Sequence, residues 1–519
     1  MLGVNDFDQH VAARMFDFFA EHTPWQRRLW RVSVLTVMDE LLEAGEVLQH
    51  GVLSDQAVAF LADEFLELAK SDPAFLPYIQ TLGQAVDAKR RNGFRPGSQS
   101  REILVQVRDK VAATYLSAWR SALVGGQIKA ERAARALATF LLRRGHHPTH
   151  LHRWLAYQVR RRTDLLDLKD LILEADALAG IPDKEFEVLV GFSVAPRQGF
   201  APQLAWKSDQ DVADWLRSAG HRPQKLRAGL VMKVSAQDVH SAVEMIAERL
   251  EQMESRLRVG SGESLRHHPD VFVADRKASV LPLAINRGLE VGSLDRAGKI
   301  FDGAASGPLD SALHLASSLA HAPAPMAVAG GWSAVESLLS FPGDGEKVAA
   351  ADRLSALVAC SFPRAELTTL AHQYTACHKD PLADAILRLV SNREKARCLL
   401  EGITTNAALP FPEQSDRAAV DRVRRLAANR PEALLDVERH AKFAVRRLYR
   451  LRNLVLHGGR VDAVALKLGL RIAAPLVGAG LDRVAHAHYV GGARPVELAA
   501  RARLALDLGS DNLVGMLEA

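Results

Sequence analysis

A cation, an amide and an imidazole follow one another closely near the end of this 519-residue sequence. They are Arg452, Asn453 and His457. Arginine is a permanent, planar cation that can bind two phosphate oxygens at once. Histidine can accept or donate a proton near neutral pH. Together these side chains could cleave RNA without a metal, because His457 could move the proton of an attacking 2′-hydroxyl while Arg452 stabilises the developing negative charge.

The surrounding segment has the periodicity of an amphipathic helix. With about 100° of rotation per residue, four polar side chains fall on one stripe, namely Arg446, Arg450, Asn453 and His457. Small and apolar residues fill the opposite stripe, which predicts one face for a core and one for a charged cleft. Gly458 and Gly459 predict the end of the helix. We therefore expect His457 at the C-terminal end, where an imidazolium is favoured.

The same pattern also has a purely structural explanation. Most arginine-rich helix faces are simply solvated, and a histidine before two glycines is often no more than the last residue of a helix. A motif this short is a hypothesis until its structural context is known. The spacing alone leaves both explanations open.

The run from Leu448 to Gly458 resembles the signature of the HEPN superfamily, and most closely that of its Apea-like branch. In that signature an arginine, commonly followed by asparagine, precedes a histidine by a few residues, and Arg452, Asn453 and His457 match it. Upstream, the run GWSAVESLL at 331–339 resembles the first helix of that branch, in which an aromatic residue is followed by a glutamate. The resemblance covers roughly residues 306–519 and is specific only around these two helices.

The resemblance implies an all-α bundle that pairs with a second copy through the motif helices, so that the site is composite. It also implies a metal-independent endoribonuclease without a cofactor, which leaves a cyclic phosphate on its RNA product. Such proteins often act in antiviral defence, as abortive infection effectors, or as toxins of toxin–antitoxin systems. RNA and a second copy of the chain are therefore the expected partners.

The resemblance also implies roles for individual residues. His457 would transfer the proton, Arg452 would bind phosphate and stabilise charge, and Asn453 would orient one or both of them. We expect Arg450 and Arg446 to contact neighbouring phosphates. Glu336, one turn after the aromatic residue of the first helix, could pair with Arg452 or orient it, although it could equally be an ordinary, partly exposed glutamate.

The periodicity along the chain predicts a mainly helical protein in three parts. Residues 1–180 form a helical N-terminal region, 181–290 form a small α+β domain, and 306–519 form the HEPN-like bundle with a helical insertion at about 341–430. Period-2 alternation predicts strands near 186–192, 227–235, 271–274 and 280–283. The architecture suggests that the N-terminal region senses an unknown trigger and holds the nuclease inactive until the trigger binds.

The composition predicts a soluble protein of a reducing compartment. Its three cysteines form no paired pattern, and no apolar signal segment opens the chain, so we expect a cytoplasmic protein without a membrane segment. The net charge is +5. Between Arg422 and Arg452, ten Lys and Arg stand against three Asp and Glu, a local charge of +7. This concentration suits a polyanion such as RNA, and a solvated helix pair would explain it too.

Three alternatives remain open at this stage. Four histidines at positions 146, 147, 150 and 152 could bind a metal, but no cysteine or acidic residue lies near them in the sequence. A helix after Pro148, or a basic and aromatic surface for nucleic acid, explains them as well. Asp270, Asp275 and Lys277 imitate a metal-dependent nuclease set, although residues five apart on one strand would point to opposite faces. Finally, the bundle could be a non-catalytic adaptor that only dimerises or binds RNA.

Overall fold

The computed structural model describes residues 6–28, 31–86, 94–123, 128–161, 167–194, 206–275, 277–302, 307–406, 409–509 and 513–517. The protein is mainly helical, with 69% helix and 7% strand, and it has a small antiparallel sheet in the middle of the chain. The mainly helical class and the central sheet predicted from the sequence are thereby confirmed. No described helix combines the length and the apolar character that crossing a membrane requires.

The described residues form twenty helices in chain order. The first ten are α1 (Asp6–Phe19), α2 (Val34–Val47), α3 (Asp55–Ala69), α4 (Ile79–Val86), α5 (Gln99–Ala122), α6 (Ala130–Arg143), α7 (Pro148–Arg161), α8 (Leu168–Ala179), α9 (Asp209–Ser218) and α10 (Val239–Ser261). The other ten are α11 (Ser293–Arg296), α12 (Pro308–His321), α13 (Ala324–Leu339), α14 (Ala349–Cys377), α15 (Pro381–Arg388), α16 (Asn392–Thr405), α17 (Gln414–Ala428), α18 (Arg430–Gly458), α19 (Leu466–Gly491) and α20 (Pro495–Leu508).

The chain divides into two compact units. The first consists of Met1–Phe140, Arg162–Leu173 and Arg287–Ala519, and the second of Leu141–Arg161 and Glu174–Asn286. This division differs from the three parts expected from the sequence, because the N-terminal and C-terminal helices fall into one unit. The aromatic ring of Phe60 on α3, for example, meets that of Phe443 on α18 edge-on, with centroids 5.6 Å apart.

The second unit is built on one five-stranded antiparallel sheet. Its strands are β1 (Lys184–Phe192), β2 (Trp206–Ser208), β3 (Ala228–Ala236), β4 (His267–Val273) and β5 (Val280–Pro282), in the order β2-β3-β1-β4-β5. Successive side chains of β1 point to opposite faces of the sheet, and both faces are covered. Val188 and Val190 face a core shared with α10, while Leu189 faces α9. The short edge strand β2 was not expected from the sequence.

In the first unit, the predicted insertion at about 341–430 forms four helices. Helix α14 continues through Pro363 without a break. Helices α15 and α16 are separate, and Ser391 caps α16 with its side chain. Near the N-terminus, Thr23-Pro24 precedes a single 3₁₀ turn, Trp25–Arg27, and Ser33 caps α2 with its side chain.

Candidate functional site

Helix α18 positions the predicted reactive residues. It ends at Gly458, and Gly459 adopts a left-handed conformation with φ of 64°. The backbone N–H of Arg460 donates to the Leu454 carbonyl at 3.0 Å, which closes the last turn. The two glycines thus end the helix as predicted, and His457 lies in its final turn, exposed to solvent.

The helix that carries the upstream resemblance packs against α18. Trp332 on α13 is fully buried, and its ring lies 4.9 Å, centroid to centroid, from that of Tyr449 on α18. Large aromatic side chains contribute much of the burial energy of a core. The two sequence segments that resemble the HEPN signature are therefore neighbours in the folded chain.

The cation, amide and imidazole are in direct contact. Arg452 Nη1 lies 2.7 Å from His457 Nε2 and 3.0 Å from Asn453 Oδ1. Arginine has only donors, so His457 Nε2 accepts this hydrogen bond and the ring proton lies on Nδ1. Asn453 is only 5% exposed, whereas the His457 side chain faces solvent. A buried amide thus holds a guanidinium beside an open imidazole.

Both hydrogens of Arg452 Nη1 are used by these two contacts, but the opposite edge of the guanidinium is not. Among the described residues, none forms a hydrogen bond or ion pair with Arg452 Nε or Nη2. These two N–H groups form the fork that matches two oxygens of a phosphate. The side chain is partly exposed, so a phosphodiester can approach this edge.

The structure corrects the expectation for Arg450. This side chain is 3% exposed, and its Nη2 lies 3.3 Å from Glu64 and 3.6 Å from Glu40. It is therefore a buried partner of two carboxylates, and an RNA phosphate has no access to it. The predicted open stripe on α18 is accordingly wrong at this position.

Arg446 is also committed to protein contacts. Its Nε donates to Asp352 Oδ1 at 2.8 Å, and its guanidinium lies 4.2 Å from the centre of the Phe60 ring. An arginine held between a carboxylate and an aromatic face contributes mainly to packing and charge balance. The predicted phosphate contact by Arg446 therefore has no support in this arrangement.

Glu336 lies on α13 and is partly exposed, as expected for an ordinary surface glutamate. No hydrogen bond or ion pair joins it to Arg452, whose contacts within the described residues are with Asn453 and His457. The orientation of Arg452 therefore comes from its own helix.

The basic residues around α18 are largely neutralised by distant carboxylates, which the local charge of +7 did not reveal. Arg447 is 1% exposed and donates to Glu40 at 2.8 Å and to Glu64 at 2.6 Å. Arg422 on α17 donates to Glu366 at 2.9 Å and to Glu131 at 3.0 Å. Part of the predicted basic concentration is thus internal ion pairing, and Arg447 is a structural residue that the sequence did not single out.

One basic concentration is not fully neutralised. A cavity of about 490 Å³ lies between the N-terminal helices and α17 and α18, and its described lining holds nine Arg and Lys against four Asp and Glu. Burial, and then the like charge of Arg135, lower the pKa of Arg31 to about 9. Burial, followed by Arg31 and Arg135, also holds the pKa of His440 well below its usual range. These shifts indicate a positive, poorly hydrated interior.

The segment after the motif combines exposed apolar groups with one buried acid. Leu456, Val461 and Val464 are each more than half exposed, at 51%, 57% and 53%. Glu43, which accepts a hydrogen bond from the Val464 backbone N–H, is 4% exposed, and burial raises its pKa to about 7 although the Val464 amide and Arg460 lower it. Exposed apolar side chains that cluster on a surface often mark an interaction site, and these three lie within nine residues of one another in the sequence.

The rival nuclease set is not assembled. Asp270 lies on β4, whereas Asp275 lies beyond the strand in a turn, contrary to the expectation of one shared strand. The Asp275 carboxylate accepts hydrogen bonds from the Lys277 amide at 3.1 Å and the Ser279 hydroxyl at 2.7 Å. Asp275 therefore stabilises a turn.

The histidine cluster gains an acidic neighbour that its sequence surroundings lack. Asp238 lies 3.7 Å from His146, measured between Oδ2 and Nδ1, and it accepts a hydrogen bond from the His147 amide at 2.8 Å. The helix predicted after Pro148 is present as α7. The sequence could not reveal this neighbour, because ninety residues separate the two segments.

Comparison with known proteins gives no relative. No family model matches the chain, and no curated protein or solved structure does so either. The functional conclusion therefore depends on the geometry of the site and on the motif resemblance.

Proposed function

We propose that this protein is a metal-independent endoribonuclease of the HEPN type. The observation that carries the proposal is the 2.7 Å contact between Arg452 Nη1 and His457 Nε2 on an exposed helix end. A permanent cation and a proton acceptor stand within reach of one phosphodiester there. Arg452, His457 and Asn453 are the proposed catalytic set, while Arg450 and Arg446 are left out because protein carboxylates bind them.

The proposed reaction begins when Arg452 binds two non-bridging phosphate oxygens through Nε and Nη2. His457 Nε2 exchanges its bond with Arg452 for the 2′-hydroxyl of the RNA and accepts its proton. The 2′-oxygen then attacks phosphorus, and the bond to the 5′-oxygen breaks. The products are a 2′,3′-cyclic phosphate and a 5′-hydroxyl, whose proton comes from a general acid. Arg452 stabilises the charge that develops between these steps.

A homodimer would supply that general acid from a second copy of the motif. The exposed apolar side chains Leu456, Val461 and Val464 follow or adjoin His457 in the chain and offer the surface for such pairing. We expect Val461→Asp to shift the protein toward monomers in sedimentation experiments and to lower cleavage. Dimers that persist in this variant would move the interface elsewhere.

The basic cavity supports the proposed regulation. Its wall includes His440 of α18, and the same helix carries His457 at its end. An anionic small molecule bound in the cavity would contact α18 directly, so it is the class of trigger that we propose. An abortive antiviral or toxin-type role in the cytoplasm fits an RNA-cleaving effector that is switched in this way.

Incubation of labelled RNA with the protein in excess chelator tests the proposal. We expect the parent to cleave RNA and to leave a cyclic phosphate, and an RNA with 2′-O-methyl groups to resist because it has no attacking hydroxyl. His457→Ala should lower the rate by about 10²–10⁴-fold. Asn453→Ala should lower it less, by about 10–100-fold, since Arg452 is then misplaced and not lost.

Matched controls come from exposed residues of the same types elsewhere. Arg501→Ala on α20 and His372→Ala on α14 remove an arginine and a histidine far along the chain from the motif, and both should retain full cleavage. Cleavage that survives in His457→Ala would contradict the proposal. RNA binding without cleavage, in the presence of candidate triggers as well, would favour the non-catalytic adaptor.

A further inference from the structure

Two histidines and an aspartate converge in the second unit, away from the proposed nuclease residues in sequence. His146 lies just before α7, His150 lies in its first turn, and Asp238 caps α10. One ligand-type atom from each residue lies within 4.8 Å of the other two. The two imidazole rings are nearly parallel, with centroids 5.6 Å apart and planes inclined by 15°.

His146 has unsatisfied bonding capacity. Its side chain is almost fully buried, at 3% exposure for the residue, yet neither Nδ1 nor Nε2 has a hydrogen-bond partner among the described residues. A buried imidazole nearly always bonds through at least one nitrogen, because an unpaired polar atom is costly away from water. The nearest acid, Asp238, lies 3.7 Å from Nδ1, beyond hydrogen-bond distance, so the ring has a nitrogen free to bind a further ligand.

The backbone holds the three residues toward one another. Gly145 adopts a left-handed conformation with φ of 93°, and its carbonyl accepts a hydrogen bond from the Ser241 hydroxyl at 2.8 Å. The Asp238 carboxylate also accepts from the backbone N–H groups of His147 and His240, at 2.8 and 3.0 Å. The bond from His240 belongs to the N-cap of α10, and together with the bond from His147 it fixes the Asp238 carboxylate beside His146.

We propose that His146, His150 and Asp238 bind a divalent transition metal, with Zn²⁺ as the best match. Two imidazole nitrogens and one carboxylate oxygen suit zinc, and a water molecule would complete four-coordination. Ligand atoms around tetrahedral zinc lie about 3.3 Å apart, which follows from bond lengths of about 2.0–2.1 Å. The three ligand atoms lie within 4.8 Å of one another, so side-chain rotations would have to bring them closer to complete the site.

The metal would fasten the start of α7 to the start of α10. This link is a structural one within the second unit, and it is independent of the reaction proposed for Arg452 and His457. Removing the metal should therefore destabilise this unit without abolishing metal-free RNA cleavage. The inference and the nuclease proposal can fail separately.

The test uses the full chain, stripped with chelator and then dialysed against buffer with Zn²⁺ or Co²⁺. We expect one equivalent of Zn²⁺ by elemental analysis, a visible absorption band for Co²⁺, and a higher melting temperature with metal. His150→Ala should weaken binding by at least about 100-fold. His152→Ala, on the same helix but outside the cluster, should bind like the parent.

His150 is the better residue to change, because it is only partly buried and its loss should leave the fold intact. Circular dichroism of the metal-free variants checks this point. Zn²⁺ binding of equal affinity in His150→Ala and the parent would overturn the proposal. Less than half an equivalent of bound Zn²⁺ in the parent, with the same melting temperature with and without metal, would equally overturn the proposal. His146 and Asp238 would then be a simple buried pair.

Discussion

Two neighbouring parts of α18 use the same residue type for different purposes. In the middle of the helix, Arg447 and Arg450 are buried and bind Glu40 and Glu64. Two residues beyond Arg450, Arg452 forms no ion pair with a carboxylate of the described residues and instead donates to Asn453 and His457. The difference lies in the partners that α2 and α3 bring to the helix. An arginine becomes structural where distant acids meet it and stays available for a ligand where they do not.

The largest effect on stability should come from removing an arginine of the buried ion network. Arg447→Ala leaves Glu40 and Glu64 short of a partner in a dry interior, and loss of one member of a buried ion network costs about 3–5 kcal/mol. Urea unfolding of this variant and the parent measures the difference. A loss below about 1 kcal/mol would mean that water or Arg450 replaces the missing cation.

The complementary change, Arg452→Ala, should act on the reaction and spare the fold. Losing one cation that stabilises the transition state lowers the rate by about 10²–10³-fold. The free energy of unfolding should stay within about 0.5 kcal/mol of the parent, because the side chain is partly exposed and pairs with no carboxylate in the described part of the chain. RNA cleavage and urea unfolding of the same preparation separate the two effects. A large loss of stability would make Arg452 structural, like Arg447.

A third prediction concerns Glu43, the buried acid beside the motif end of α18. Since its pKa is raised to about 7, the folded protein binds more protons than the unfolded chain between about pH 4.5 and 7. Stability should therefore fall as the pH rises through this window. Glu43→Gln removes this dependence and should gain about 2 kcal/mol over the parent at pH 8 but little at pH 4.5. Parallel pH profiles in the two proteins would contradict the assignment to Glu43.

The smallest expected effect concerns the basic cavity at the other end of α18. Inorganic triphosphate at several times its Kd should stabilise the parent by about 1 kcal/mol in thermal melts. Arg135→Ala should reduce this shift, because Arg135 lines the cavity and its Nε has no hydrogen-bond partner in the described chain. The control Arg501→Ala should keep it. Equal shifts in all three proteins would mean that the anion binds elsewhere.

The sequence predicted well what neighbouring residues decide. Gly458 and Gly459 predicted the end of α18 because helix termination depends on the local backbone. The alternation in β1 predicted a strand for the same reason. The sequence also placed Asn453 and His457, four residues apart, on one face. Arg452 is five residues from His457 and meets it only because its side chain is long enough to reach round the helix.

The predictions failed where a segment far away in the sequence determines the burial or the partner of a side chain. The burial of Arg450 depends on Glu40 and Glu64, which lie nearly four hundred residues earlier. The acidic neighbour of His146 comes from the start of α10. Helical periodicity places a side chain on a face of its own helix, but it carries no information on which other helix covers that face.

Helix α18 is 29 residues long. His440, which lines the cavity, and His457, at the end of the helix, are therefore joined by one continuous hydrogen-bonded backbone. At about 1.5 Å per residue these two points are roughly 25 Å apart. A compound that fills the cavity would therefore never meet the RNA. As the proposed trigger, it would activate the nuclease without competing with RNA for the same site.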